Sequence, residues 1–137
     1  MTHLLDSDVT IDYLNGQLGA GHALRSIGRQ NLSISAVSIA ELLDGIINSP
    51  ERAARELGLR RLLGNVRIRI INRAIGERAG QVRADLRRRK QPVDKRALDL
   101  FVAATALELG LIVVTRNLKD YDDIPGLELY SWPKDEL

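Results

Sequence analysis

The sequence contains no cysteine, and this absence excludes several classes of functional site at once. Structural disulfides, thiolate zinc sites, iron–sulfur clusters and cysteine nucleophiles all require thiol groups. Histidine is almost as scarce, with His3 and His22 as the two occurrences. Two histidines leave little material for a histidine-rich metal site or for a Ser-His-Asp triad. We therefore expect any catalytic chemistry to depend mainly on other polar side chains.

Long apolar runs and targeting signals are also lacking. No stretch approaches the ~20 apolar residues that a membrane span needs. The first ten residues, MTHLLDSDVT, lack the cationic, apolar and small-residue regions of a secretory signal peptide. We therefore expect a cytoplasmic protein that does not engage a membrane. The 137 residues, of which 45% are hydrophobic, suffice for one core, so residues 1–137 are expected to form a single domain.

Positive charge is concentrated in the middle of the chain. Residues 51–96 contain 15 of the 20 Lys and Arg residues and five acids. This segment carries a net charge of +10, and the rest of the chain carries −8. The asymmetry is compatible with a face that attracts a polyanion. It is equally compatible with solvated helix surfaces, or with arginines that pair with an acidic partner protein.

The apolar periodicity predicts strands that alternate with helices. Predicted strands cover residues 3–5, 32–35, 66–70, 111–114 and 128–130. Predicted helices cover residues 9–18, 21–29, 37–47, 51–63, 72–90 and 97–109, and the first is expected to stop near Gly19 and Gly21. Such alternation is typical of an α/β protein with a mainly parallel sheet of four to five strands and helices on both faces. In these folds, functional sites form at the carboxyl ends of the strands.

Acidic and polar side chains fall near several of these predicted strand ends or in the helices between them. They are Asp6, Asp8, Glu41, Asp99, Thr115, Asn117 and Asp120. Converging carboxylates repel one another unless a cation compensates their charge, and a ligand set made of oxygen suits Mg²⁺ or Mn²⁺. Taken singly, each acid is more simply explained as a helix cap or as the partner of an arginine. The functional interpretation depends on the whole set.

Four segments resemble, in the same order, the motifs of PIN-domain ribonucleases. They are residues 4–14 (LLDSDVTIDYL), 34–42 (ISAVSIAEL), 98–106 (LDLFVAATA) and 113–121 (VVTRNLKDY). The turn at residues 125–127 (PGL) and the ending at residues 130–132 (YSW) are most similar to those of VapC toxins of toxin–antitoxin pairs. The resemblance spans nearly the whole chain and implies a PIN-like three-layer α/β/α sandwich.

The resemblance also implies an activity and a set of partners. It implies an endoribonuclease that acts on RNA with one or two Mg²⁺ or Mn²⁺ ions and is inhibited by a cognate VapB-like antitoxin. A homodimer is a further expectation from the family. Carried over by position, the implied catalytic acids are Asp6, Glu41, Asp99 and Asp120. The implied metal ligands are Asp6, Glu41, Asp99 and Asn117.

Other positions are expected to support this site or to contact RNA. The supporting polar groups are Asp8, Ser38 and Thr115. The candidate RNA-contacting residues are Arg87, Arg88, Arg89 and Arg116. Asn117 departs from the family, which often has an acid there, and this puts a second metal ion in doubt. Residues 90–92 (KQP) also depart from a turn that many relatives make with glycine, which bears on local conformation.

Two other classes of function stay open at this point. Residues 6–10 (DSDVT) match the opening of haloacid-dehalogenase-like phosphatases, in which Asp6 would be the nucleophile and Asp8 the general acid. A non-catalytic module of the same fold that binds RNA or a partner is the second alternative. Several apolar positions are candidates for docking an antitoxin helix or a second copy, although helical stripes of this kind are more often core. These positions are Ile46, Ile47, Leu57 and Leu62.

Overall fold

Four parallel strands and six α-helices make up the regular structure of residues 2–136, which are the residues that this computed structural model describes. The strands are β1 (His3–Leu5), β2 (Leu32–Ser35), β3 (Arg67–Arg69) and β4 (Ile112–Val114). The helices are α1 (Ser7–Leu14), α2 (Leu18–Ile27), α3 (Ala36–Ile47), α4 (Arg52–Leu63), α5 (Arg73–Arg88) and α6 (Ala97–Leu109). Short 3₁₀ turns cover Arg29–Asn31, Leu118–Asp120 and Lys134–Glu136. Within this part of the chain, no helix has both the length and the apolar character needed to cross a membrane.

The order of the strands reverses next to β1. The sheet has the order β3-β2-β1-β4, and every neighbouring pair is parallel. The chain moves outward from β1 to β3 and then returns to the other side of β1 to form β4. Such a reversal opens a crevice at the carboxyl ends of the two strands beside it. Because Leu5 and Val114 are register partners at those ends, the segments that begin at Asp6 and Thr115 meet at this crevice.

Alternating residues of β1 and β4 build a hydrophobic core on each face of the sheet. Leu4 and Val113 pack with residues of α5 and α6. Leu5 and Val114 pack with residues of α1 and α2. Successive side chains of a strand point to opposite faces, so the two clusters lie on opposite sides of the sheet. This arrangement confirms the expected α/β/α sandwich.

The four apolar positions considered for docking divide into two pairs. Ile46 and Leu62 are buried and belong to the core beneath α3 and α4. The docking hypothesis is wrong for these two because their side chains are already packed inside the protein. Ile47 and Leu57 are 44% and 50% exposed, so they are the pair that a partner could contact.

The first two helices differ from their predicted boundaries. The first helix, α1, ends at Leu14 instead of Leu18, and the chain turns at Gly16, whose φ is +77°. Gly19, predicted to stop a helix, lies inside α2 together with Gly21. That prediction is wrong because α2 starts at the cap residue Gln17, whose side chain accepts a hydrogen bond from the Ala20 amide, so that Gly19 falls in the first turn of the helix. A Cβ atom at Gly19 would lie 2.6 Å from Nη2 of Arg116.

The fifth predicted strand, residues 128–130, forms a single parallel bridge. Leu129 is the bridge partner of Val113. The Val113 amide donates to the carbonyl of Glu128 at 2.9 Å, and the Tyr130 amide donates to the carbonyl of Val113 at 2.8 Å. The described sheet therefore has four strands, and β4 has only a short neighbour on its outer side.

The connection between α5 and α6 contains an unusual backbone conformation at Lys90. Its φ is +59°, and it is the only non-glycine residue with a positive φ among residues 2–136. The left-handed conformation costs a residue with a side chain about 1 kcal/mol. At residues 90–92, where many relatives turn with glycine, this chain therefore makes the turn with a lysine in the left-handed conformation.

A buried ion pair ties this connection to the loop after β4. Arg96, just before α6, is 7% exposed, and its two terminal nitrogens donate to Asp123 at 2.9 and 2.7 Å. They also donate to the carbonyls of Pro92 and Asp120 at 2.9 and 2.6 Å. The Arg96 guanidinium holds the pKa of Asp123 below its usual value. One side chain thus fixes the start of α6 against the turn that carries Asp120.

Replacing Asp123 with asparagine should destabilise the protein, because it leaves the charge of Arg96 buried without its partner. We expect Asp123→Asn to lower the free energy of unfolding by about 3 kcal/mol, measured by urea denaturation at pH 7. The control is Glu77→Gln, which removes the partner of Arg73 from an exposed pair on α5. This control should cost less than about 1 kcal/mol. Equal losses in the two variants would contradict the structural role of the Arg96–Asp123 pair.

Candidate active site

Asp6 lies in the crevice between the carboxyl ends of β1 and β4. It is 3% exposed, and its amide donates to the carbonyl of Val114 at 3.0 Å. Its carboxylate accepts a hydrogen bond from the Ser7 amide at 2.9 Å and so caps α1. The hydroxyl of Thr115 donates to Oδ2 of Asp6 at 3.0 Å. Strand β4 thus fixes the backbone of Asp6, and the residues that follow β1 and β4 fix its carboxylate.

The hydroxyl of Tyr121 lies between Asp6 and Asp99. It is 3.0 Å from Oδ2 of Asp6 and 3.4 Å from Oδ1 of Asp99. Asp99 is in the first turn of α6, where the positive end of the helix dipole favours a carboxylate. The sequence analysis did not identify Tyr121. No sequence pattern separates a buried tyrosine that reaches an acid from one that only packs in the core.

Glu41 adds a third carboxylate, and Ser38 adds a buried hydroxyl. Both residues belong to α3. Within residues 2–136, Oε1 of Glu41 and Oγ of Ser38 are buried and have no hydrogen-bond partner. Buried polar atoms without a partner are rare in folded proteins. An unpaired carboxylate oxygen of this kind is available to a cation.

Burial and mutual repulsion raise the pKa values of these acids. Burial, followed by the charge of Asp8, raises the pKa of Asp6 to about 6. Burial, followed by the charges of Asp120 and Glu41, raises the pKa of Asp99 to about 6. Burial and the charge of Asp6 also raise the pKa of Glu41. A divalent cation would relieve the same repulsion that protons relieve in its absence.

Asp8 organises the segment that follows β4. Its Oδ2 accepts hydrogen bonds from the amides of Arg116 and Asn117 at 2.9 and 3.2 Å. Its Oδ1 accepts from the Val9 amide at 2.7 Å, and the Thr115 hydroxyl lies 3.3 Å from Oδ2. Because both oxygens are engaged by the protein itself, Asp8 anchors this segment beside the other acids.

Asp120 and Asn117 lie at the edge of the acid cluster. Asp120 ends the 3₁₀ turn Leu118–Asp120 and is close enough for its charge to act on Asp99. Asn117 is exposed, and its backbone amide is also 3.0 Å from the Thr115 hydroxyl. Asp120 therefore acts on Asp99 through its charge, whereas Asn117 contributes a neutral side chain at the surface.

An open cleft of about 290 Å³ gives access to two of the acids. Its walls are formed by Glu41, Asp94, Lys95, Ala97, Leu98 and Asp99. Lys95 places a positive charge at this cleft, and it was not among the residues predicted to bind RNA. Its position four residues before Asp99 is the sequence feature that could have identified it. A larger cavity of about 900 Å³ lies between α1, α2 and α4 and contains none of the candidate acids. The size of a cavity therefore does not identify the acidic site in this protein.

The oxygen ligands of this site suit a hard divalent cation. Among residues 2–136, no three acids or histidines are already placed so that one ion could bind all of them. Mg²⁺ is usually held by one or two carboxylates and keeps several waters, so three protein ligands are not required. Asp6 and Asp99 approach one phenol, and Glu41 has a free buried oxygen. These residues therefore fit Mg²⁺ or Mn²⁺.

The four candidate RNA-contacting arginines differ in how much of their charge is free. Arg88 and Arg89 both pair with Asp85, at 3.2 and 2.9 Å. The guanidinium of Arg116 donates to the carbonyl of Glu136 at 2.6 Å and stacks 4.2 Å from the ring centroid of Trp132. The side chain of Arg87 is exposed and has no ion pair within residues 2–136. Arg87 therefore has the freest charge of the four, whereas the guanidinium of Arg116 is engaged by Glu136 and Trp132.

Comparison with known proteins places this geometry in context. A family model described as "PIN domain" matches residues 3–127. A VapC protein of Shigella flexneri, named as a tRNA(fMet)-specific endonuclease, is 24% identical and covers 94% of this chain and 96% of its own length. The solved structure of VapBC2 from Rickettsia felis, bound to a promoter DNA fragment, matches with a TM-score of 0.86 at 23% identity, covering 97% of this chain and 100% of that chain. VapBC-1 from nontypeable Haemophilus influenzae matches with a TM-score of 0.80 at 26% identity, covering 96% and 98%.

Replacing Asp99 with asparagine should stabilise the metal-free protein at neutral pH. The folded-state pKa of about 6 lies above the ordinary value of 3.8, so the folded state binds the proton more tightly than the unfolded state. The stability that this proton provides is fully present below about pH 4 and is lost as the pH rises through about 6. We expect Asp99→Asn in EDTA to raise the melting temperature by about 3 °C at pH 7.5, measured by circular dichroism.

The gain should shrink as the pH falls below about 6 and should disappear by about pH 3, where Asp99 is neutral in both states. Asp122→Asn, which changes an exposed acid in the loop after β4, is the matched control and should leave the melting temperature unchanged at both pH values. A loss of stability in Asp99→Asn at pH 7.5 would show that this carboxylate is not under repulsion.

Proposed function

Because the chain belongs to the PIN domain family, we propose that it is a VapC-type endoribonuclease, the toxin of a toxin–antitoxin pair, and that it uses Mg²⁺ or Mn²⁺. The observation that carries this proposal is the convergence of Asp6 and Asp99 on one phenol. The unpaired oxygen of Glu41 and the raised pKa values support it. The name of the Shigella flexneri relative, an endonuclease, supports the same reaction class.

Asp6, Glu41 and Asp99 would hold the cation, and Asp120 and Asn117 would complete the site from its edge. When bound, the cation activates water for attack on a phosphodiester and stabilises the charge that develops there. The chain's own residues fix the ligands in advance, since the Ser7 amide and two hydroxyls hold Asp6. A second ion would depend on Asp120, because Asn117 carries no charge.

The reaction in this proposal is hydrolysis of an RNA backbone. Water adds to phosphorus and the bond to the 3′ oxygen breaks, so the products carry 5′-phosphate and 3′-hydroxyl ends. Lys95 lies on the wall of the cleft that contains Glu41 and Asp99, where it can contact the phosphate backbone. Arg87 supplies a positive charge on α5 that has no ion pair among residues 2–136.

A VapB-like antitoxin is the protein partner that the comparisons support. The matching solved structures from Rickettsia felis and Haemophilus influenzae are VapBC complexes. We further propose that residues 1–137 act as one nuclease domain, as a homodimer, and in the cytoplasm where the RNA substrate is found. These three points rest on the sequence and on the family.

The phosphatase alternative finds no support in the geometry. It requires Asp8 to be a general acid, yet Asp8 is held as a hydrogen-bond acceptor by three backbone amides. It also gives Glu41 and Asp99 no part, although both line the cleft. The non-catalytic alternative predicts RNA binding without turnover, so the cleavage experiment decides it.

Purified protein should cut RNA only in the presence of a divalent cation. We expect discrete cuts in an end-labelled RNA pool with Mg²⁺ or Mn²⁺, and none with EDTA. Asp99→Asn should lower the cleavage rate by at least about 100-fold, because loss of a ligand should cost more than loss of a residue that only orients one. This is the variant expected to be more stable, so lost activity could not be attributed to unfolding.

The matched control is again Asp122→Asn, which should cut at the rate of the unmodified protein. Co-expression with the cognate antitoxin should suppress the cuts. Cleavage that continues in EDTA, or in Asp99→Asn, would overturn the metal-dependent nuclease. RNA binding without any cleavage in antitoxin-free protein would favour the non-catalytic module.

Arg87→Ala should lower the affinity for RNA and should make that affinity less sensitive to the salt concentration. Loss of one phosphate contact should reduce the slope of log affinity against log salt by about one. The measurement is fluorescence anisotropy with labelled RNA, made in the inactive Asp99→Asn background. Arg73→Ala is the control, since it removes an arginine that pairs with Glu77 at the other end of α5. Equal effects of the two substitutions would indicate a non-specific charge effect and contradict a contact at Arg87.

A further inference from the structure

We propose that Tyr121 is a positioning residue of this site: its hydroxyl holds the carboxylates of Asp6 and Asp99 in the arrangement that a divalent cation requires. The inference rests on the proposed function, because it concerns the same metal site. It adds a residue that has neither a charge nor a place among the expected ligands. The argument depends on the contacts of one hydroxyl group and on how the ring that carries it is held.

The hydroxyl of Tyr121 has one proton and two carboxylates within reach. It donates to Oδ2 of Asp6 at 3.0 Å and lies 3.4 Å from Oδ1 of Asp99. Ionised carboxylates are acceptors only, so two of them cannot bond directly to each other. A donor placed between them reduces their repulsion and fixes their separation. Tyr121 is 1% exposed, so water does not readily replace it.

The hydrogen bonds of Asp6 leave room for a cation on one oxygen. Oδ2 receives the hydroxyls of Tyr121 and Thr115, and Oδ1 receives the Ser7 amide. A carboxylate oxygen accepts about two hydrogen bonds, so Oδ2 is fully used and Oδ1 keeps one free lone pair. The Thr115 hydroxyl also lies within 3.4 Å of both oxygens of Asp8. Of the two hydroxyls that donate to Asp6, that of Tyr121 is the one that also lies beside Asp99, the second proposed metal ligand.

The ring of Tyr121 is held in place without its hydroxyl. It belongs to the hydrophobic core that contains Leu4, Leu100 and Val113. Its loop is fixed by the Arg96–Asp123 ion pair and by a hydrogen bond from the Ile124 amide to the Tyr121 carbonyl at 3.1 Å. Phenylalanine would keep the ring packing and remove only the hydroxyl. Tyr121→Phe therefore separates a packing role from a positioning role.

The test is direct binding of Mn²⁺ to metal-free protein, followed through the electron paramagnetic resonance signal of free Mn²⁺. We expect Tyr121→Phe to bind Mn²⁺ about tenfold more weakly, the size of effect typical of residues that orient metal ligands. In RNA cleavage, its Mn²⁺ requirement should rise by the same factor, and its rate at saturating Mn²⁺ should return to near the unmodified rate. A residue with only a packing role would change neither quantity.

Tyr130→Phe is the matched control, because the Tyr130 ring makes an edge-to-face contact with Trp132 and lies outside the acid cluster. It should bind Mn²⁺ as the unmodified protein does. Equal Mn²⁺ affinity in Tyr121→Phe and the unmodified protein would overturn the inference and leave the nuclease proposal intact. Failure of the unmodified protein itself to bind Mn²⁺ would overturn both.

A second measurement needs no substitution at Tyr121. The chain has three tyrosines and one tryptophan, so in a Tyr13→Phe/Tyr130→Phe background Tyr121 is the one remaining tyrosine, and its bands are followed in the difference spectrum with and without Mg²⁺, against the background of the tryptophan. Mg²⁺ binding at the two acids should shift this absorption, because it changes the charge on the groups that accept the phenol's hydrogen bond. An unchanged spectrum at a Mg²⁺ concentration that supports cleavage would contradict the positioning role.

Discussion

Repulsion among buried and half-buried carboxylates is the constraint on which the rest of this structure depends. Asp6 and Asp99 approach one hydroxyl, and burial deprives their charges of screening by water. The groups that stabilise Asp6 come from different parts of the fold: a backbone amide at the start of α1, a hydroxyl after β4, and a phenol from the following loop. No cationic side chain forms an ion pair with these two acids within residues 2–136. The compensation is therefore incomplete, and a divalent cation would complete it.

The loop after β4 must be held at both ends for this arrangement to persist. At its start, Asp8 binds the amides of Arg116 and Asn117. At its end, Asp123 binds Arg96. Both acids are structural acceptors, and the residues that act on the central carboxylates, Asp120 and Tyr121, lie between these two anchors. Two acids outside the cluster thus set the geometry of the acids within it, which matters because displacements of about 1 Å can change catalytic rates substantially.

The sequence predicted what depends on local pattern and missed what depends on distant contacts. Acids that follow apolar strands must lie at strand ends, so the placement of Asp6 beside the segment after β4 could be anticipated. The end of α1 could not, because Leu18 continues the apolar spacing across the turn at Gly16. The part played by Tyr121 depends on its contact with Asp6, which is 115 positions away in the chain. A single sequence carries no record of which distant residues touch.

The positive middle of the chain is less uniform in the fold than its net charge suggests. Several of its arginines are paired with nearby glutamates, namely Arg52, Arg55, Arg73 and Arg78. An RNA that approaches the cleft meets Glu41, Asp94 and Asp99, with Lys95 as the one cation among its lining residues. In the proposed mechanism, these acids oppose a polyanion until a metal ion neutralises them. The ion would then be needed for RNA to enter as well as for cleavage, which makes metal binding before RNA binding the favoured order.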